Sequence, residues 1–180
     1  MKDKVSSINN EFYKNFPEIY LKPSKVNKFL KKYTNEVEKE IKNKFLKLKL
    51  DKNFVIYANG GFGRKEIFPI SDIDISIVEK NKPKDFKNLE EFISFLWDQG
   101  YKVGHSVRTI SDIKKISKSD LKEYTSYLTR RPIISTNEMD KKINYALSTL
   151  WTKNNFYNAK YVEQQPVSYT HLTLPTTLVV

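Results

Sequence analysis

The sequence predicts an α+β fold, a small twisted mixed sheet with helices packed around it, and three observations predict it. Residues 24–48 carry one apolar stripe at three- and four-residue steps, and three short β-like runs follow at Asn53 to Ala58, Asp72 to Val78 and Val103 to Ile110. Between the second and third runs lies a second amphipathic stretch, so helix and strand alternate. At 180 residues the chain is long enough for a sizeable core.

Each element has its own signal. Residues 1–22 read as irregular, with Phe12, Tyr13, Phe16 and Tyr20 expected to pack onto the domain. Pro23 and Ser24 open the first helix, with Ser24 expected as N-cap, and Val26, Phe29, Leu30, Tyr33, Val37, Ile41 and Phe45 form its buried stripe. Lys80 to Lys84 make a loop. Leu89, Phe92, Ile93, Leu96 and Trp97 give the next helix its apolar side, and Gly100 ends it. Beyond Ile110 the chain reads as mostly helical to about Gln165. The domain boundaries expected are an N-terminal helical segment at 1–50, a core at 51–114, a helical extension at 115–165 and a tail at 166–180.

Composition excludes several classes. The chain has no cysteine, so neither disulfides nor thiolate metal sites are available. No apolar stretch has the ~18–20 residues that span a bilayer, and Met1 to Val5 lack a signal-peptide core. A cytoplasmic protein without a membrane partner is expected. The net charge of +11 fits nucleic acid or an acidic partner on one reading. On the other, lysines scattered among glutamates along predicted helices form a solvated face. No recognition motif accompanies the charge, so nucleic acid is not expected as a partner.

The chemistry concentrates in residues 57–78. The first β-like run leads into Gly60-Gly61-Phe62-Gly63-Arg64, and about ten residues later Asp72 and Asp74 alternate along the second run. Residues two apart on a strand share a face, so the two carboxylates stand side by side while Ile73, Ile75 and Ile77 point into the core. Paired carboxylates repel unless a cation lies between them, and hard Mg²⁺, which commonly arrives with a phosphate, suits them. A glycine-rich turn beside the pair offers backbone N–H groups to a phosphate. These parts imply metal-assisted transfer of a nucleotide. A pair of surface aspartates beside an ordinary tight turn is the alternative.

The run Gly60-Gly61-Phe62-Gly63-Arg64, Glu66, Phe68-Pro69 and Ser71-Asp72-Ile73-Asp74 resembles the signature of the polymerase-β-type nucleotidyltransferases. Within them it is most similar to the bacterial PII uridylyltransferase/uridylyl-removing enzymes. Phe95 to Thr109, including Gly104-His105-Ser106-Val107-Arg108, resembles the strand region that follows in that family. Trp151, Phe156, Lys160 and Glu163 echo its next helical region. The resemblance runs over roughly residues 50–165.

It implies a polymerase-β-like fold and transfer of UMP from UTP to a tyrosine of a PII-type nitrogen-regulatory protein. Mg²⁺ or Mn²⁺ would be held by Asp72 and Asp74 as metal-binding and catalytic residues, with Gly60, Gly61, Arg64 and Ser71 binding the nucleotide. Arg64 fits a phosphate or a pairing with Glu66; Ser71 fits a phosphate or a turn. His105 reads as packing or surface in preference to a catalytic role, and Arg108 as a phosphate ligand or an ion pair. Two departures stand out. Ser106 sits where the superfamily usually places a third carboxylate, leaving the base to Asp98, Asp112 or an acid outside this sequence. Lys65 stands where the motif has a small residue. A nucleotidyltransferase with another acceptor, or a fragment that binds nucleotide without turnover, remains open.

Residues 166–180 contain no Asp, Glu, Lys or Arg in a chain that is 29% charged. They resemble translated vector sequence and read as a non-native tail, with a reading frame cut short near Gln165 and further domains missing; a natural Thr-rich terminal strand is the alternative.

Overall fold

Helix α1 (Pro23–Lys47) opens the ordered description in the computed structural model, which describes residues 22–164 together with Asn10 and Lys14. The aromatics expected to pack from residues 12–20 and the tail at 166–180 lie outside the described residues. Pro23 stands in the first turn of α1, where its missing N–H costs nothing, and Lys22 occupies the N-cap without a side-chain cap. Ser24 is therefore inside the helix rather than its cap, because the proline pulls the start forward. The stripe is as expected: Val37, Ile41 and Phe45 are fully buried.

A 3-10 turn at Leu50–Lys52 leads to β1 (Phe54–Ala58), then a short helix α2 (Gly60–Arg64) and β2 (Ile73–Glu79). Helix α3 (Lys87–Asp98) crosses over to β3 (Val103–Arg108). Two helices, α4 (Ile110–Ser119) and α5 (Leu121–Leu128), precede β4 (Arg131–Ile134) and α6 (Asn137–Ser148). The sheet runs β3-β2-β1-β4. β1 pairs antiparallel with β2 and with β4, while β2 pairs parallel with β3. A parallel pair needs a crossover, and α3 supplies it. The fold is thus α+β with a four-stranded mixed sheet and flanking helices, as the sequence leads one to expect.

The two faces of the sheet differ. Ile73, Ile75 and Ile77 join Phe54, Ile56 and the stripes of α1 and α3 in one apolar core, where the Phe45 and Phe92 rings meet edge-on at 5.3 Å. The opposite face carries Tyr57, Asp74 and Ser76. There the Tyr57 hydroxyl donates to Asp140 of α6 at 2.6 Å, and the Arg130 guanidinium lies over its ring. Burial first, and then the hydrogen bond to Asp140, hold the Tyr57 hydroxyl far above its ordinary pKa, so it is an anchor and not a titrating group.

Strand β4 falls in the stretch read from sequence as mostly helical. It is four residues long, contains Pro132 and lies at an edge, where a proline is tolerated and too few residues alternate to show a period. Contacts divide the chain into Met1–Leu150 and Trp151–Val180. The second unit carries α7 (Lys153–Gln164), in which Phe156 and Tyr157 meet edge-on. Among the described residues, no helix is long and apolar enough to cross a membrane.

Candidate active site

Where β1 ends, the Asn59 N–H donates to the Asp74 carbonyl at 2.9 Å, which ties the start of α2 to the start of β2. Gly60 then takes φ +52, a left-handed conformation that favours glycine. The far end of α2 is held from β4: Arg131 donates Nε to the Gly63 carbonyl at 2.8 Å and Nη2 to the Phe62 carbonyl at 3.3 Å, and pairs with Glu38 at 2.8 Å. The unanticipated strand therefore fixes the glycine turn.

Asp74 lies on β2 and Asp72 one residue before it. Gly104 of β3 stands opposite Asp74 in the parallel register. A Cβ built on Gly104 would lie 2.5 Å from Asp74 Oδ1, and one on Gly60 would lie 3.1 Å from Oδ2. The carboxylate thus occupies a cradle that two absent side chains leave open. Partial burial, then the negative charge of Asp72, push the Asp74 carboxyl above its ordinary 3.8. Among the described residues no Lys or Arg pairs with either aspartate, and no cluster of three or more His, Cys, Asp and Glu forms. An all-oxygen donor pair with unneutralised charge, open to solvent, fits a hard divalent cation that takes its other ligands from phosphate and water.

Beside this pair opens a cleft of about 570 Å³. Asn59, Gly60, Asp74, Ser76 and Ser106 line one side, and Lys122, Thr125 and Ser126 of α5 line the other. Asn59 and Ser76 are buried, at 6% and 3% exposure. Asn59 Nδ2 donates to Ser76 Oγ at 2.5 Å, and Ser106 Oγ donates to the same oxygen at 3.5 Å. Asn59 Oδ1 has no partner among the described residues. A buried acceptor left so costs about 1–3 kcal/mol.

Of the residues singled out from sequence, Gly60, Asp74, His105 and Ser106 line the cleft, whereas Gly61, Arg64, Ser71 and Asp72 are not among its walls. Arg64 pairs with Glu66 at 2.8 Å, both exposed. Ser71 closes a turn through its N–H to the Phe68 carbonyl, just after Ile70 at φ +76. The His105 ring lies edge-on to Trp97, 6.0 Å between centroids. Arg108 makes a two-pronged bridge to Glu123, at 2.6 and 3.1 Å. Asp112 completes a capping box with Thr109, whose hydrogen bonds hold its carboxyl below the ordinary value, and neither it nor Asp98 reaches the cleft. Asn59, Ser76 and the hydroxyls of α5 carry no signal in the sequence, since a lone Asn, Ser or Thr has no spacing to read, and Gly104 shows its role only through its register partner Asp74.

Lys65 shows why the motif has a small residue there: it caps α2 at φ +62, and its ammonium reaches Asn35 at 2.9 Å. Replacing Lys65 by Gly relieves a left-handed conformation that disfavours Cβ, against the loss of one exposed hydrogen bond. The expected result is a gain of roughly 0.5–1 kcal/mol, read in urea unfolding as a higher midpoint at unchanged slope.

The chain is similar in sequence to proteins named bifunctional uridylyltransferase/uridylyl-removing enzyme, which bears out the resemblance. It is 37% identical over 118 residues to that of Haemophilus influenzae (strain PittEE), covering 61% of this chain and 13% of that protein. It is 31% identical over 118 residues to that of Pasteurella multocida (strain Pm70), covering 63% and 14%. The chain therefore spans only about 13% of the length of such relatives. No family model matches. Among solved structures, a toxin–antitoxin with AMP-PNP overlaps at TM-score 0.40 and 18% identity, over 69% of this chain and 92% of that one, a likeness too loose to carry an argument.

Proposed function

We propose that this chain is a nucleotidyltransferase domain that moves UMP from UTP to a tyrosine hydroxyl of a PII-type regulatory protein in the cytoplasm, with Mg²⁺ or Mn²⁺. The observation that carries the reading is the Asp72–Asp74 pair, with Asp74 cradled between Gly60 and Gly104 at the edge of a polar cleft. The relatives named uridylyltransferase support the uridylyl group as what is transferred; the PII-type acceptor rests on the sequence resemblance alone.

In the reaction the acceptor oxygen bonds to the α-phosphorus, the bond from that phosphorus to its bridging oxygen breaks, and pyrophosphate leaves. Asp72 and Asp74 would hold the dications, which supply charge neutralisation on phosphate oxygens and a more acidic attacking hydroxyl. Gly60 keeps the approach to Asp74 free of side chain, and exposed Lys122 on the facing wall offers a cation to the phosphates. The hydroxyl proton passes to solvent or to an acid outside the described residues, because Glu123, the other acid in the cleft walls, is held by Arg108.

The test is transfer of label from α-³²P-UTP to a PII-type protein, with and without Mg²⁺ or Mn²⁺. Labelling that requires both metal and Asp74 supports the reading. A second reading, a domain that binds nucleotide without turnover, is favoured by the Arg108 bridge that occupies Glu123, the other acid in the cleft walls; it predicts metal-dependent UTP binding and no labelling. Neither binding nor labelling overturns both.

A further inference from the structure

We infer that the Asn59 carboxamide, anchored on Ser76, reads a ribose hydroxyl of the bound nucleotide and so makes the cleft selective for ribonucleotides. This rests on the proposal that the cleft takes a nucleoside triphosphate.

Asn59 stands at the N-cap of α2, a position that Asn favours because its side chain can accept a helix N–H, yet it makes no such bond. It turns into the sheet instead, donates to the buried Ser76 hydroxyl and leaves its own oxygen without a partner among the described residues. Buried polar atoms are almost always satisfied, so an unsatisfied one in a cleft wall marks a contact that a ligand completes.

Its chemistry selects the ligand group. With Nδ2 on Ser76 the amide offers an acceptor; rotated by half a turn, it would accept from the Ser76 hydroxyl and offer a donor. A hydroxyl group, donor and acceptor at once, satisfies either arrangement, whereas a phosphate oxygen satisfies only one. Position agrees. Ser76 lies two residues along β2 from Asp74, on the same face and about 6.6 Å away by strand rise. A nucleotide whose reacting phosphate sits at Asp74 has its ribose within that reach. Ser106, paired with Ser76 across the sheet, extends the hydroxyl row and keeps it polar.

The experiment measures dissociation constants of the full chain for UTP, 2′-deoxy-UTP and 3′-deoxy-UTP with Mg²⁺. Three proteins are compared: the unaltered chain, Asn59→Leu, and Asn59→Leu with Ser76→Ala. The double variant replaces both hydrogen-bonding partners by apolar groups, a change that is close to neutral for folding, and a thermal melt verifies it. The unaltered chain is expected to bind UTP about tenfold tighter than one of the two deoxynucleotides, and which of them is weak identifies the hydroxyl. Both variants are expected to lose that preference while binding the weaker deoxynucleotide as before. A preference that survives in the variants, or an equal affinity for all three nucleotides in the unaltered chain, overturns the inference and leaves the proposed function standing. Failure of the unaltered chain to bind any of the three overturns both.

Discussion

Asp74→Asn and Asp72→Asn are each expected to remove metal-dependent transfer, by about a thousandfold or more, without lowering the stability of the metal-free protein. The size follows from the several kcal/mol of transition-state charge stabilisation that a correctly held dication supplies, each 1.36 kcal/mol being tenfold in rate. The stability half follows from the environment of Asp74. Its carboxyl is pushed above 3.8 by burial and by Asp72, so the folded state holds its proton more tightly than the unfolded chain does. The resulting stability is present at low pH and is lost as pH rises from 3.8 through the raised value. At neutral pH the ionised pair opposes folding, and Asn removes that opposition. Melting the metal-free proteins at pH 4 and pH 7 is expected to show the Asp74→Asn variant equal to or above the parent at pH 7, with the gap closing toward pH 4. Adding Mg²⁺ with UTP is expected to raise the melting temperature of the parent and not that of the variant. Variants that melt lower at neutral pH yet retain transfer would mean the pair is part of the scaffold and not of the chemistry.

What the sequence makes visible is what repeats. The stripe of α1 recurs from Val26 to Phe45, and the Ile73, Ile75 and Ile77 alternation implies the buried face of β2 and hence the exposed face of Asp74. Such patterns report which side of an element meets the core. They do not report what stands opposite. β4 has no period to read, yet through Arg131 it anchors α2. Ser24 looked like a cap because caps are recognised by residue type, while Pro23 decides where the helix begins. Lys65 departs from the motif at a left-handed backbone position that no pattern in the sequence marks. Several walls of the candidate cleft are therefore residues whose meaning is relational: Asn59 through Ser76, Ser106 through its register partner, and Gly104 through Asp74.

Gly104→Ala tests that relational reading most sharply, and a loss of about a hundredfold in transfer is expected. The added methyl carbon would stand 2.5 Å from Asp74 Oδ1, well inside contact distance. The strand need not yield, because the atom in the way is the end of a short side chain that can rotate. Gly104 does not adopt the left-handed region, and alanine loses less freedom in a strand than glycine, so folding is expected to be unharmed or slightly favoured. The carboxylate moves instead, and a displacement on the order of 1 Å at a reacting centre costs about 10²-fold. This separates position from charge: Asp74→Asn removes the charge in place, whereas Gly104→Ala keeps it and shifts it. The alanine variant should accordingly need more Mn²⁺ for half-maximal activity and recover part of its rate at saturating metal, which Asp74→Asn should not. Gly60→Ala is a poorer probe, since its φ of +52 would add backbone strain to the contact with Oδ2. Gly104→Ala with normal stability, normal metal requirement and full transfer would place the working carboxylate elsewhere, and the cradle between the two glycines would then be an accident of packing.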